Sequence, residues 1–303
     1  MVKLLKYLKM YTKESILGPL FKLLEASFEL IVPLVVAALI DNGIKNGDKP
    51  YVFKMCILLI LLAAIGFVFS VTAQYFAAKA ATGFAKSVKH DLFNNIQNLS
   101  YSEIDTLGTS TMITRMTSDM NQVQQGINLT LRLLLRSPFV VFGAMIMAFA
   151  IDYKQALIFA VTIIILSVVV FGIMLWSIPR YRNVQRALDK VTGLTRENLS
   201  GVRVVRAFGL EEKEKNTFQD KNNILTGLQQ KVGSVTALMN PATYVFLNIG
   251  IIILIYSGAI NVNSGRLTQG EVVALYNYMT QILVELVKLA NLILNITRSI
   301  ACG

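Results

Sequence analysis

Six apolar runs, each long enough to cross a hydrocarbon core of about 30 Å, dictate what this chain can become. They lie near residues 16–40, 55–78, 138–151 with its upstream flank, 156–178, 236–260 and 272–297. Lipid offers a bare backbone no hydrogen bonds, so a chain that keeps entering it does so as helices or as a closed barrel, and runs of this length are helical. Composition agrees: 54% of the 303 residues are hydrophobic and 16% charged, where a soluble domain carries about a quarter charged residues. The predicted fold class is an all-α membrane protein with six transmembrane helices.

The net charge of +11 by itself fits nucleic acid or anionic lipid. The placement of the 29 Lys and Arg decides. Eleven fall in 180–231, six in 79–136 and four before residue 14, while the turns 41–54, 152–155 and 260–270 hold three, one and one. Positive charge accumulates on the cytoplasmic side, which puts both termini and the two long loops there and argues against nucleic acid as a partner. Met1 to Ser15 is amphipathic. Leu4, Leu5, Leu8 and Tyr11 share one face with Lys3, Lys6, Lys9 and Lys13 spread around the other, as in a helix lying at the interface. Cys56 and Cys302 make no disulfide framework, and His90 has no Cys or second His near it, so no metal site is expected.

From Tyr51 the helical pattern runs to Leu99 with no proline to stop it. That is about 70 Å of helix, more than twice the lipid thickness, so the helix must continue as an arm into the cytoplasm. Ser100 and Ser102 are candidate caps for a short helix that Gly108 would end. A second helix is expected from Ser110 or Thr111 through Arg115 and Asp119 toward Arg132 and Arg136, with Ser137-Pro138 marking membrane re-entry. A second excursion leaves at Tyr181, reaches about Ala207 and returns from about Glu212 to Ser234. Its tip lies in ENLSGVRVVRAFGLEEKEKNTF, Glu197 to Phe218. Val202, Val205, Phe208 and Leu210 keep helical spacing there, and Gly201 and Gly209 interrupt it. Two helices meeting at an exposed corner, with Phe208 ahead of Glu211 and Glu212, form a knob that suits a groove on another protein. A solvated loop joining two spans is the alternative.

The polar residues inside the runs are costly in lipid and must face protein or water. The first run is read as broken by Pro19 and Pro33, and Lys22, Glu25 and Glu29 share one of its faces, lining a cavity or lying at headgroup depth. The fifth holds Asn240-Pro241 and Asn248. In the sixth, Asn277, Gln281, Glu285, Lys288, Asn291 or Leu292, and Asn295 make a stripe at steps of three and four. Such a stripe lines a wet chamber or glues helices together. Glu25, Glu29 and Glu285 would favour cations, with Lys22 and Lys288 partly cancelling them. Tyr244, Phe246, Tyr276 and Tyr278 could add cation–π surface.

Six spans, two long arms per excursion, two short corners and a basic leading helix together resemble the transmembrane domain of an ATP-binding-cassette exporter of the bacterial multidrug type. Residues 197–218 look like that family's second intracellular loop, and Asp105, Gly108, Thr114-Arg115 and Asp119 like its first. IDNGI after the first span and LTQGEVVALYNYMTQI before the sixth also match family patterns. The resemblance covers essentially the whole chain and implies the type IV exporter fold, with long cytoplasmic extensions.

By that resemblance, residues 1–15 are an interfacial elbow helix and 16–303 the six-helix domain, with coupling corners near 100–109 and 207–214. Tyr101, Glu103, Asp105 and Leu107 in the first corner, and Phe208, Glu211 and Glu212 in the second, would touch nucleotide-binding domains in cis or in trans. Phe208 would meet the opposite subunit's domain. Glu25, Glu29, Asn248, Asn277, Gln281, Glu285 and Lys288 would line the substrate chamber. A second transmembrane domain, identical or related, would complete the dimer, amphiphilic drugs, lipids or peptides would be the substrates, and the inner (plasma) membrane the location. No G-x-x-x-x-G-K-[ST] loop occurs, so ATP and Mg would belong to a nucleotide-binding domain that this chain lacks, either on a longer polypeptide or as a separate subunit. A passive channel or scaffold would not need such arms. An intramembrane enzyme would need paired aspartates, a Ser with His or an H-E-x-x-H, and no such set is present.

Overall fold

A computed structural model describes residues 2–302, and every regular element among them is a helix. A 3-10 helix, Val2–Tyr11, leads directly into α1, Thr12–Ala38, which ends in a π-helical segment, Leu39–Ile44. α2 (Lys49–Gln97), α3 (Tyr101–Leu107) and α4 (Thr109–Thr114) follow. A second π segment, Arg115–Asp119, joins α4 to α5, Met120–Leu133. The rest is α6 (Arg136–Ile151), α7 (Tyr153–Ser200), α8 (Val202–Ala207), α9 (Glu211–Ala237), α10 (Met239–Asn263) and α11 (Gln269–Cys302). Six helical stretches are long and apolar enough to cross a membrane, as the six runs predict.

Local chemistry sets several boundaries. Asp48 starts α2 by accepting a hydrogen bond from the Tyr51 N–H at 3.0 Å, with Pro50 in the first turn. α2 then continues for 49 residues and α7 for 48, each about 70 Å long, so neither fits within lipid alone. One expectation is corrected. Pro19 and Pro33 lie inside α1 and do not break it. A proline removes one helical hydrogen bond and crowds the carbonyl four residues back, but α1 is held along α2 by side chains. Phe21 stacks against Phe69 and Phe76 with ring centroids 5.7 and 6.1 Å away, and Phe28 against Phe69 at 5.6 Å.

Two compact units divide the chain: residues 1–163 with 249–303, and residues 164–248. In the first, Ala81, Phe84, Ala85 and Val88 of α2 form a core with Met120, Val123 and Ile127 of α5. Leu4, Tyr7 and Leu8 of the leading segment pack on that core. Tyr7 donates a hydrogen bond to the Asp91 carboxylate at 2.5 Å, and Glu14 pairs with Lys79 at 2.9 Å. Small residues let helices approach closely: Gly143 of α6 faces Leu30 of α1, and Gly126 of α5 faces Ser299 of α11, whose hydroxyl donates to the Gln122 carbonyl at 2.8 Å. In the second unit, Leu225 and Val232 of α9 are buried, and the Asn198 amide of α7 donates to the Glu214 carboxylate of α9 at 3.1 Å.

Two sequence patterns far apart in the chain meet within the first unit. Thr268 and Glu271 cap α11 reciprocally: the Thr268 N–H donates to the Glu271 carboxylate at 2.8 Å, and the Glu271 N–H to the Thr268 hydroxyl at 3.2 Å. Asp41 of IDNGI accepts the next free N–H of that helix end, from Gly270, at 2.9 Å. A carboxylate there also complements the positive end of the helix dipole. Asp41→Ala should therefore lower stability by about 1 kcal/mol, the typical net worth of such a bond. Gly270→Ala should cost at least as much, because its Cβ would run into the Ala37 carbonyl and the Asp41 carboxylate. Unfolding midpoints in detergent that match the parent chain for both variants would show that this junction carries no stability.

Candidate functional site

The sequence stripe on α11 finds its counterpart across α1 and α6. Leu134 and Leu135 form the short break after α5, and Arg136 opens α6. Its guanidinium Nη2 donates to Glu29 Oε2 of α1 at 2.6 Å, and Nη1 to Glu285 Oε1 of α11 at 2.6 Å. Glu285 also accepts from the Ser137 hydroxyl at 2.8 Å on Oε2 and from Lys288 Nζ at 2.9 Å on Oε1. Arg136 is 7% exposed and Glu285 3% exposed, so this is a buried network and not a surface ion pair. It lines a pocket of about 610 Å³ with Asn277 and Gln281 on the same wall. Arg136 Nε and Gln281 Oε1 have no hydrogen-bond partner among the described residues.

The chamber residues read from the sequence therefore separate. Glu29, Asn277, Gln281, Glu285 and Lys288 come together around the pocket. Glu25 is buried elsewhere on α1, paired with Lys22 at 2.5 Å, and Lys22 reaches Ser70 of α2 at 3.3 Å. Asn248 lies in the second unit, exposed, its amide donating to the Tyr244 carbonyl of its own helix at 2.8 Å. Tyr278 is fully buried and donates its hydroxyl proton to the Leu30 carbonyl at 2.6 Å, so it braces α11 against α1. In the sequence Arg136 stands on the returning arm, just ahead of Ser137-Pro138; the sequence signal that it belongs inside is the imbalance of three Glu within the apolar runs, Glu25, Glu29 and Glu285, against two Lys, Lys22 and Lys288. With Arg136 counted, Lys22, Arg136 and Lys288 balance Glu25, Glu29 and Glu285, and the acidic patch expected to favour cations is neutralised.

Removing one member of a buried ion network leaves a bare charge, at about 3–5 kcal/mol, whereas replacing the set by neutral groups of similar size is close to neutral or stabilising. Arg136→Met alone should be strongly destabilising, while the triple Glu29→Gln, Arg136→Met, Glu285→Gln should recover most of the loss. Unfolding in mild detergent reads the difference; equal losses would mean that the carboxylates are not held as a charge-compensated set.

The two corners are built from backbone signals. Ser100 caps α3 as a full capping box: its hydroxyl accepts from the Glu103 N–H at 3.4 Å while the Ser100 N–H donates to Glu103 Oε2 at 2.8 Å. Gly108 ends α3 with φ 74°. Tyr101 is 89% exposed, and Glu103, Asp105 and Leu107 are exposed beside it. In the second unit, α8 ends at Phe208 and Gly209, whose φ of 61° turns the chain, and the Leu210 N–H closes the turn on the Val205 carbonyl at 3.0 Å. Phe208 is 75% exposed. Glu211, Glu212 and Glu214 occupy the first turn of α9, where the helix dipole favours acids.

The hydrogen bonds from the Ser100 hydroxyl and backbone hold the Glu103 carboxyl below its usual pKa. A lowered folded-state pKa adds stability above the unfolded value and loses it as pH falls through the folded one. Amide exchange across 101–107, taken relative to the intrinsic rate at each pH, should therefore stay slow at neutral pH and accelerate in acid. Ser100→Ala should speed it at neutral pH and flatten the acid dependence; an unchanged profile would remove the box from the stability of α3.

The chain matches the family model described as the ABC transporter transmembrane region over residues 15–286. It is 31% identical over 306 residues to a Bacillus subtilis protein named as an ABC transporter ATP-binding protein, YfiB, covering all of this chain and 53% of that protein. It is 26% identical over 298 residues to a Mycobacterium tuberculosis protein of the same description, covering 98% of this chain and 51% of that one. A Rickettsia felis protein named as a putative export ATP-binding/permease protein is 24% identical over 287 residues, covering 91% and 48%. The chain thus spans about half the length of the curated relatives it matches. Six helices long and apolar enough to cross a membrane, long helices joined at short corners, and a family match over most of the sequence converge: this chain belongs to the ABC transporter transmembrane-region family, with the type IV fold.

Proposed function

We propose that this domain works as the membrane half of an ATP-driven exporter. It pairs with a second transmembrane domain, identical or related, and encloses the pocket around Glu29, Arg136 and Glu285 as its substrate chamber. Nucleotide-binding domains, in cis or in trans, hold ATP and Mg, and their closure moves the arms. Residues 1–15 act as an interfacial elbow, the corners at 100–109 and 207–214 dock on the nucleotide-binding domains, and both termini face the cytoplasm across the plasma membrane. Amphiphilic compounds, drugs, lipids or peptides, are the cargo.

The second corner carries the reading. A phenylalanine held 75% exposed by a glycine turn, with three acids on the next helical turn, makes little sense as a free surface in water. It makes good sense as an aromatic anchor with a charged rim, the composition of interface hot spots. A turn that merely joined α7 to α9 would need neither.

In the transporter assembled with its nucleotide-binding domain, Phe208→Ala should cut substrate export at least about tenfold, the cost of losing an interface anchor worth about 2 kcal/mol. Nucleotide affinity should stay nearly unchanged. Glu212→Lys should give the same split. Export and substrate-stimulated hydrolysis equal to the parent in both variants would remove the corner from coupling.

A further inference from the structure

The network around the pocket leaves two of its charged groups with unused hydrogen-bonding capacity. Glu285 accepts three hydrogen bonds, from Arg136, Ser137 and Lys288, so it has little capacity left for a ligand ammonium. The two ends of the chain of contacts differ. Glu29 gives one oxygen to Arg136, its other oxygen has no protein partner among the described residues, and its side chain is 43% exposed. Lys288 uses one donor on Glu285, keeps two, and its side chain is also 43% exposed. Both line the same pocket. One wall thus offers an acceptor pole and a donor pole, joined through Arg136 and Glu285, with Val32, Val36, Val140 and Val284 as the apolar remainder.

We propose that the pocket takes zwitterionic amphiphiles: a head carrying an ammonium and an anionic group together, such as ethanolamine phosphate, on an apolar tail. The ammonium sits at Glu29 and the anionic oxygens at Lys288, with the unpartnered Gln281 carbonyl as a further acceptor, and the tail lies along the valines. A lipophilic cation meets Lys288 uncompensated, and a lipophilic anion meets Glu29. Each is penalised by a like charge at one pole with no opposite charge of its own to offset it. The inference rests on reading this pocket as the substrate chamber and narrows the cargo to one class.

The test is binding, measured on the chain in non-ionic detergent without nucleotide, so that it is independent of coupling at the corners. Three fluorescent probes share one acyl chain and differ in the head: ethanolamine phosphate, trimethylammonium and glycerol phosphate. Polarisation should rank the zwitterion about tenfold tighter than either singly charged probe, the difference that one charge-assisted hydrogen bond makes. Glu29→Gln should move the preference toward glycerol phosphate and Lys288→Gln toward trimethylammonium. The double variant should bind all three alike. Both residues lie at the exposed ends of the network, and Arg136 and Glu285 still pair with each other in either variant. The proposal is overturned if trimethylammonium binds tightest to the parent chain, if the ranking is the same in all variants, or if the zwitterion does not bind. If the coupling variants of Phe208 and Glu212 behave as the parent while the probe ranking holds, the exporter reading falls and the ligand class stands.

Discussion

The contact of Arg136 with Glu29 and Glu285 is the interaction on which the first unit depends. A single charge at membrane depth costs several kcal/mol, and here a guanidinium draws carboxylates from two helices, 107 and 149 residues away in sequence. Each charge is tolerable only in the presence of the others. That mutual dependence fixes the rotation of α1 and α11 about their axes, since either helix turned by one residue would carry its carboxylate away from α6. Apolar packing alone specifies such a rotation poorly in lipid, where the bilayer competes for every apolar face. The buried polar set supplies register, as a single polar residue does in a coiled coil.

The same economy governs the ends of the helices. α2 runs for 49 residues with its single proline, Pro50, in the first turn, and a helix that is hydrogen-bonded throughout is stiff along its axis. A displacement at its tip is therefore carried along the arm rather than absorbed in it. What the tips require is a sharp, reproducible reversal, and each excursion has a glycine at positive φ for it, Gly108 and Gly209. The π segment Arg115–Asp119, on the way back from α3, interrupts the returning arm of the first excursion ahead of the break at Leu134 and Leu135. It shifts the faces of the helix between α4 and α5, letting Met112 and Met120 both be buried.

How legible this was in the sequence followed from range. Ser100, Glu103 and Gly108 act on their immediate neighbours, and the reading of a short helix closed by Gly108 placed α3 correctly. The long arm from Tyr51 was legible because nothing local stops it. Pro19 and Pro33 misled because their local rule is real but weaker than packing by Phe69 and Phe76. IDNGI and LTQGEVV were visible as patterns, yet their meeting, Asp41 on the Gly270 N–H, lies 229 residues apart and has no periodicity to betray it. Arg136 was hidden for the same reason. Its neighbours in sequence place it on an arm; its partners lie elsewhere in the chain.

A pocket wall of this kind also answers why charge is present at all in a place where valine and leucine would cost less. Neutral isosteres in place of a buried ion set often raise stability by about 1–4 kcal/mol, so stability is a poor reason for Arg136. An apolar wall, however, leaves a headgroup no partners and drives water out, and the headgroup would then face the full cost of desolvation on entering. The polar wall lowers that barrier in proportion to how well its free valences match the head. A wall whose internal charges cancel, with one acceptor at Glu29 and one donor at Lys288 left at its ends, lowers it most for a head whose own charges cancel. Under the proposed zwitterion preference, the network that sets the helix register also discriminates between ligands, by its two unused ends.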